Sequence, residues 1–340
     1  MTNPAQAQPP EVQLVQMITG HWVAAAIYTA AKLKLPDHLA AGAISSESLA
    51  AAAGTHADST YRLCRALSAV GVLTELPDRQ FELTVLGELL RSDHPRSMRP
   101  MAMFQGAPPH WQGWGSFVHS VQTGQPAFEH VHGKQFFDYC EGDPEFAEAF
   151  NGAMTALSAA ASQAVVQAYD FAGIETLVDV GGGHGHLLCT VLSANPSLTG
   201  IVFDLPHVVQ GAAPTIAAAG LADRCQTVGG SFFESVPAGD AYISKHIIHD
   251  WDDEHSRKIL SNMASAMQGS GRVLLVEAVI DAGNMTTFGK LIDLEMLHAT
   301  HGGRERTEGE FRELFASAGL KLQRTIPTQS MFSVLEAVPA

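Results

Sequence analysis

The chain has 340 residues, 46% of them apolar and 16% charged, enough for about two domains with a large buried core, which excludes disorder as its overall state. Twenty basic residues against 35 acidic ones leave a formal charge of −15 and a pI near 5.4, so no general attraction to phosphate backbones or anionic membranes is expected. The four cysteines, Cys64, Cys140, Cys189 and Cys225, form no C-x-x-C pair and read as reduced thiols of a cytoplasmic protein, while the Lys- and Arg-free opening from Met1 to Pro10 is not expected to be a leader and no apolar run has the length of a membrane span.

The first hundred residues are rich in alanine and read as short helices that end in a hairpin. Leu14, Met17, Ile18 and Trp22 recur at helical spacing. Ser45 and Ser46 are placed to cap a helix that stops at Gly54, and Asp58 is expected to open another, carrying Leu63, Leu67 and Val70 and closing at Gly71. Two strand-like stretches, Val72 to Leu76 and Phe81 to Thr84, flank the turn Pro77-Asp78-Arg79-Gln80. Helices followed by a hairpin predict a winged-helix module. Its recognition helix would carry only Arg62 and Arg65 as cations, which argues against DNA. An apolar opening helix with Trp22, Ile27 and Tyr28 suits a partner subunit better, so a homodimer is expected.

From about 99 to 165 the chain reads as helices crowded with Met and aromatic side chains, among them Met101, Phe104, Trp114, Phe136 and Met154. Such side chains build core, and they also make adaptable walls for flat ligands. His130 and His132 read as loop residues before Gly133. Beyond about 170, β-rich runs alternate with 10 to 20 helical residues: Thr176 to Val180, Thr199 to Phe203, Gln226 to Val228, Ala241 to Ser244, Arg272 to Glu277, then stretches near Leu320 to Thr325 and Phe332 to Ala337. This is the rhythm of an α/β protein with a mostly parallel, doubly wound sheet.

The strongest local signal is Leu177-Val178-Asp179-Val180-Gly181-Gly182-Gly183-His184-Gly185, a buried strand entering a glycine turn and a helix that begins near His186. Glycines admit a ligand close to the backbone, and the helix start favours negative charge. A dinucleotide fingerprint G-x-G-x-x-G fails, because its last position is His186 counted from Gly181 and Leu188 counted from Gly183; no Gly-Lys-Ser/Thr of a P-loop follows either. Asp179 stands where a phosphate would be repelled and an ammonium group attracted. The next strand ends in Phe203-Asp204-Leu205-Pro206, where Asp204 is placed to accept both ribose hydroxyls or, alternatively, to cap a helix at Pro206. Two carboxylates around a glycine turn suit S-adenosylmethionine (SAM), which has a ribose, an ammonium and a sulfonium but no phosphate.

The fourth strand leads into Lys245-His246-Ile247-Ile248-His249-Asp250-Trp251. Taken alone, His249 reads equally as a capping residue or a catalyst. Glu277 at the end of the fifth strand and Glu305 in Gly302-Gly303-Arg304-Glu305-Arg306-Thr307 favour catalysis, since neighbouring strand ends converge on one crevice. Sixteen histidines invite a metal, but His246 and His249, like His298 and His301, lack the H-E-x-x-H arrangement, so none is expected.

With Val178-Asp179-Val180-Gly181-Gly182-Gly183, Phe203-Asp204-Leu205-Pro206, His249-Asp250-Trp251 and Gly302-Gly303-Arg304-Glu305-Arg306-Thr307 in this order, the chain resembles the SAM-dependent O-methyltransferases of the plant caffeic acid and bacterial polyketide type. The likeness covers nearly the whole chain. It implies a winged-helix dimerisation domain over 1–98 and a Rossmann-like methyltransferase domain over 99–340, with a seven-stranded sheet whose last strand is antiparallel and with the helices of 99–165 over the acceptor pocket. It implies further that the turn at Gly181 and Gly183, with Asp179, holds the methionine part of SAM, that Asp204 holds the ribose, that Lys245 meets a backbone or cofactor oxygen, and that Ser231 and Phe232 border the adenine. His249 would be the general base flanked by Glu277 and Glu305, Met154 and Met296 would sandwich the acceptor ring, and Thr300 would lie beside its substituents. Plant members have Asp where Ser231 stands and commonly Asn where Thr300 stands, which puts the adenine contact and the acceptor's substitution pattern in question. His184, His298 and His301 are local idiosyncrasies near the crevice.

The expected activity is methyl transfer from SAM to a phenolic hydroxyl of a small aromatic or polycyclic acceptor, without metal. A phenol of pKa about 10 is only about one-thousandth ionised at neutral pH, so a base is needed. Two alternatives stand beside it: SAM retained as a non-transferring cofactor of another reaction such as hydroxylation, and a SAM-responsive winged-helix DNA-binding regulator.

Overall fold

The computed structural model describes residues 9–281, 283 and 288–340; the first eight residues of the opening segment lie outside them. The described residues fall into two units, each taken by itself: Met1–Gln112 with Cys140–Ala156, and Gly113–Tyr139 with Leu157–Ala340. No helix among the described residues is long and apolar enough to cross a membrane.

In the first unit, local signals set the elements. Ser45 Oγ accepts a hydrogen bond from Ser48 N (3.2 Å) at the start of the helix Ser46–Ala53, and Gly54 ends it in the left-handed conformation (φ 65°) that only glycine adopts without cost. The next helix, Ala57–Ala69, opens slightly earlier than expected. His56 caps it, its Nδ1 accepting from Ser59 N (3.4 Å), and Asp58 lies in the first turn, where a carboxylate suits the helix dipole. A three-stranded sheet of β1 (Ile44–Ser45), β2 (Leu73–Leu76) and β3 (Gln80–Leu83) follows the order β1-β3-β2. The two-residue β1, antiparallel to β3, is too short to show alternation and has no signature in the sequence. Leu49, Cys64, Leu67, Val72, Leu73 and Phe81 form the core beneath. The helices Pro10–Ile18 and Gly20–Lys32 leave Leu14, Met17, Ile18 and Trp22 between 58% and 79% exposed, an apolar face of the kind that marks an interaction surface.

The second unit is built on seven strands: β4 (Thr176–Val180), β5 (Thr199–Asp204), β6 (Cys225–Gly229), β7 (Gly239–Lys245), β8 (Met267–Glu277), β9 (Leu320–Pro327) and β10 (Ser333–Pro339), in the order β6-β5-β4-β7-β8-β10-β9. β4 to β8 pair in parallel, as the doubly wound rhythm predicts, and the last strand, β10, is antiparallel to both its neighbours, as the family resemblance implies. Strands buried on both faces are almost continuously apolar. In β4, Leu177 faces one core and Val178 and Val180 the other, the strict alternation of a pleat. The chain leaves β4 towards β5 on one side and returns to β7 on the other, so the carboxyl end of β4 is a topological switch point, where such sheets open a crevice. One reading is corrected here: His130 and His132 are not loop residues but lie in the helix Ala127–His132, whose i→i+4 spacing the short apolar content hid and which Gly133 ends at φ 67°.

Candidate active site

At the switch point the backbone turns sharply. Gly181, Gly183 and Gly185 all have positive φ (73°, 55° and 77°), and Gly185 precedes the helix His186–Ala194. A Cβ on Gly181 would lie 2.5 Å from Ile247 Cδ1, and one on Gly182 would lie 2.9 Å from Asp179 Cγ, so the tight turn needs glycine for space as well as for φ. Gly183 N donates to Asp204 Oδ2 (2.8 Å) and Leu205 N to Asp204 Oδ1 (2.7 Å), which ties the end of β5 to the turn. Leu205, not Asp204, occupies the N-cap of the helix Pro206–Val209, and the capping alternative falls.

Asp179 is 2% exposed, and its Oδ2 has no hydrogen-bond partner among the described residues. Burial raises its pKa to about 7, with Lys245 opposing and Asp204 adding to the shift. Burial lowers the pKa of Lys245 at the end of β7, while Asp179 and Glu277 act to raise it. An orphaned carboxylate oxygen, a second carboxylate and an open glycine backbone form a donor set that fits a cationic nucleoside without phosphates and fits a pyrophosphate badly. Gly229 pairs with Asp204 in the β5–β6 register, so Ser231 and Phe232 follow directly beyond the adjoining strand end. Ser231 Oγ accepts from Phe233 N (3.3 Å), and Phe232 packs against Phe233 at 4.8 Å.

The surroundings of His249 are assembled from three separate stretches of chain. His249 lies in the 3-10 turn Ile248–Asp250 after β7. Its Nδ1 is 2.8 Å from Glu305 Oε1 and 3.7 Å from Glu277 Oε2, and its Nε2 is 3.6 Å from Asp250 Oδ1. Glu277 Oε1 accepts from Ile247 N (3.2 Å) and Ile248 N (2.9 Å), while Glu305 N donates to Asp293 Oδ1 (2.8 Å). Both glutamate side chains are fully buried and the imidazole is 11% exposed, so within this trio only the imidazole reaches the surface. Burial acts to lower the pKa of His249, but Glu277, Asp250 and Glu305 outweigh it and push it up to about 10. Burial also raises Glu277, helped by Glu305 and Asp250 and opposed by His249.

Beside His249 the backbone is strained. His246 has φ 56° without being glycine, its half-buried ring lies 5.5 Å from that of His249 at 26°, and desolvation holds its pKa well below the usual imidazole range. The donor atoms of His249, Glu277 and Glu305 all lie within 4.8 Å of one another, a spacing that a divalent cation could also span.

Met296 sits on the helix Gly289–Ala299 and Thr300 follows its end, with Thr300 Oγ1 donating to Met296 O (2.8 Å). Met154 belongs to the first unit, on the helix Pro144–Ala168. His298 is buried and stacks on Trp114 at 5.0 Å, and His301 pairs with Glu129. The structure therefore gathers Asp179, Gly181, Gly183, Asp204 and Lys245 at one end of the carboxyl edge and His249, Glu277 and Glu305 at the other. Sequence reasoning missed the parts played by Asp250, which adjoins His249 in the chain, and by Asp293, for which no local signal exists.

The chain matches the model of an O-methyltransferase domain over residues 114–321 and that of an O-methyltransferase dimerisation domain over residues 15–93. It is 44% identical over 338 residues to the phenazine O-methyltransferase PhzM of Lysobacter antibioticus, covering 99% of this chain and 98% of that one. It is 33% identical to the phenazine-1-carboxylate N-methyltransferase of Pseudomonas aeruginosa, covering 92% of each. Among solved structures it is similar, with a TM-score of 0.78 and 36% identity over 94% of this chain and 96% of that one, to the O-methyltransferase NcsB1 from neocarzinostatin biosynthesis in complex with SAM and 2-hydroxy-5-methyl naphthoic acid.

Proposed function

The chain belongs to the SAM-dependent O-methyltransferases, and on that premise we propose that it methylates a phenolic hydroxyl of a small aromatic or polycyclic acceptor with His249 as general base. The observation that carries this reading is the contact of His249 Nδ1 with Glu305 Oε1 at 2.8 Å, which leaves Nε2 as the nitrogen able to take a proton. SAM supplies a methyl carbon already activated by the adjacent sulfonium. What the chain must add is alignment and a more nucleophilic oxygen.

The carboxylates around His249 push its pKa up to about 10, level with that of a phenol, about 10, so the neutral imidazole that can take the phenolic proton is the minority form at neutral pH and grows as pH climbs towards 10. A proton shared between the acceptor oxygen and Nε2 then moves at little cost, and the imidazolium formed is stabilised by Glu305 on its other side. An aliphatic alcohol, far less acidic, would gain much less. Asp204 is assigned to the ribose hydroxyls, Asp179 with Gly181 and Gly183 to the ammonium end, Ser231 and Phe232 to the adenine border, and Lys245 to a backbone or cofactor oxygen. Met154 and Met296 are assigned to the faces of the acceptor ring, and Thr300 to its substituents. The functional division is placed between residues 98 and 99, with a homodimer formed through the exposed face of Leu14, Ile18 and Trp22. Deleting residues 1–35 should then give aggregated or inactive protein, and a soluble, fully active monomer would oppose this assignment.

The relationship to an N-methyltransferase favours a second reading, an aromatic nitrogen as acceptor. Such a nitrogen has a free lone pair and needs no base before attack. Incubation with isotopically labelled SAM and paired phenolic and heteroaromatic-amine acceptors, followed by mass spectrometry, decides between them: labelled ether products support the phenol, and exclusively N-labelled products rule it out.

A further inference from the structure

Among the described residues Arg306 is the largest of the fully buried side chains, 1% exposed, and its charge lies outside the His249, Glu277 and Glu305 cluster. Its guanidinium is aimed at backbone. Nη1 donates to Ile248 O (3.1 Å), Nη2 donates to Trp251 O (2.9 Å), and Nε and Nη2 both donate to Asp253 Oδ1 (3.0 and 2.7 Å). The two carbonyls belong to the first residue of the 3-10 turn that bears His249 and to the residue that ends it, and Asp253 begins the helix Asp253–Ala266 that follows. The neighbouring residues engage the same turn: Arg304 N donates to His249 O (2.7 Å), and Glu305 meets His249 Nδ1. Behind them Ile280 N donates to Arg306 O (3.1 Å), so the short stretch 304–306 is anchored beyond the end of β8.

We propose that Arg306 is a positioning residue for methyl transfer, clamping the turn that carries His249 so that Nδ1 stays on Glu305 and Nε2 stays directed at the acceptor. The planar fork of a guanidinium reaches two carbonyls in fixed geometry, which a lysine ammonium does not do. The Asp253 side chain is 67% exposed, so its ion pair is screened by solvent and orients the fork without being the source of the effect. The leading influences on His249 and Glu277 are burial and their mutual contacts with Glu305 and Asp250. Arg306 acts through backbone position and leaves the basicity of the imidazole as Glu305, Glu277 and Asp250 set it. This inference rests on the reading of His249 as base.

The test is steady-state kinetics on one phenolic acceptor with calorimetric SAM binding. R306A should lower kcat about 10- to 100-fold, the range that a small misplacement of a catalytic group costs, with SAM affinity and the kinetic pKa unchanged. Added guanidinium chloride at low millimolar concentration should restore part of the rate saturably, whereas R306K should not recover it. D253N should stay within about threefold of the parent enzyme, as expected for an exposed ion pair. R306A should cost nothing further in an H249A background, because the clamp acts through that side chain. Should R306A fail to fold, R306Q, which keeps amide donors for one carbonyl, carries the same expectation at about 3- to 10-fold. Parental kcat in R306A or R306K, a D253N loss as large as that of R306A, joint loss of SAM affinity and kcat without guanidinium rescue, or additive losses in the double variant would each overturn the clamp. If H249A itself kept the parental kcat, the base assignment would fail instead.

Discussion

The two ends of the carboxyl edge of the sheet solve the same problem, holding charge away from full solvent exposure, by different means. At the glycine-turn end, Asp179, Gly181, Gly183 and Asp204 come from two adjacent strands and the turn between them, and backbone N–H groups steady the carboxylate of Asp204. At the His249 end, His249, Glu277, Glu305 and Asp293 come from stretches far apart in the chain, and the charges steady one another. A site made of backbone tolerates little change of shape. A site made of coupled charges tolerates little change of protonation. Variants at the two ends should therefore fail differently.

The largest effect is expected at His249. H249A should lower kcat on a weakly acidic phenol by about 10²–10⁴, the usual loss for a general base, with SAM affinity nearly unchanged. Acidic acceptors such as nitrocatechols should recover much of the rate, since they ionise without help. Parental turnover of H249A, or loss of SAM binding together with activity, would erase the distinction between the two ends.

D204A is the mirror experiment. Removing a carboxylate assigned to two hydroxyls should weaken SAM binding roughly 10- to 100-fold in calorimetry, as for hydrogen bonds to a charged group, while the kinetic pKa stays in place. If SAM bound D204A as tightly as the parent, the ribose assignment would be lost.

E305Q separates geometry from electrostatics. Glu305 is one of the groups that raise His249, so its neutralisation should bring the rising limb of the rate–pH profile down from the region of 10 towards the ordinary imidazole value, about 6.5. The sign for stability follows from the same shift: a histidine raised in the folded state stabilises fully below its unfolded pKa and loses that contribution as pH climbs through the folded one. Thermal stability of the parent should fall between about pH 6.5 and 10, and the fall should be shallower in H249A. An E305Q profile that stays where the parent's lies would mean that Glu305 fixes the ring without tuning it.

The smallest expected effect is none. Dialysis against a chelator should leave the rate unchanged, because Glu305 and Glu277 serve His249 as proton partners in this reading. Lost activity that magnesium or zinc restores would instead turn the one-histidine, two-carboxylate cluster into a metal centre.

Most of the element order was legible beforehand because each element carries its own signal. The residues Ser45 and Gly54 bracket a helix, continuous apolar runs mark β4, β5 and β7, and Gly181 to Gly185 announce a turn. The helix over Ala127–His132 was misread because six residues that include a single Phe show no clear helical stripe. The two-residue β1 lies below the length at which alternation can register.

What the sequence by itself determined is whatever depends on neighbours along the chain: the strands, the glycine turn, the carboxylate at the end of β5 and the family likeness of four short motifs. What only the tertiary structure decided is whatever depends on distance across it. The separation of 2.8 Å between His249 and Glu305, the 3.7 Å between His249 and Glu277, the hold of Asp293 on Glu305 and the grip of Arg306 on two carbonyls all join residues that no periodicity relates. The physical reason is that propensity and hydrogen-bonded turns act over a few residues, whereas burial and Coulomb coupling act through space and depend on which groups the packed sheet brings together.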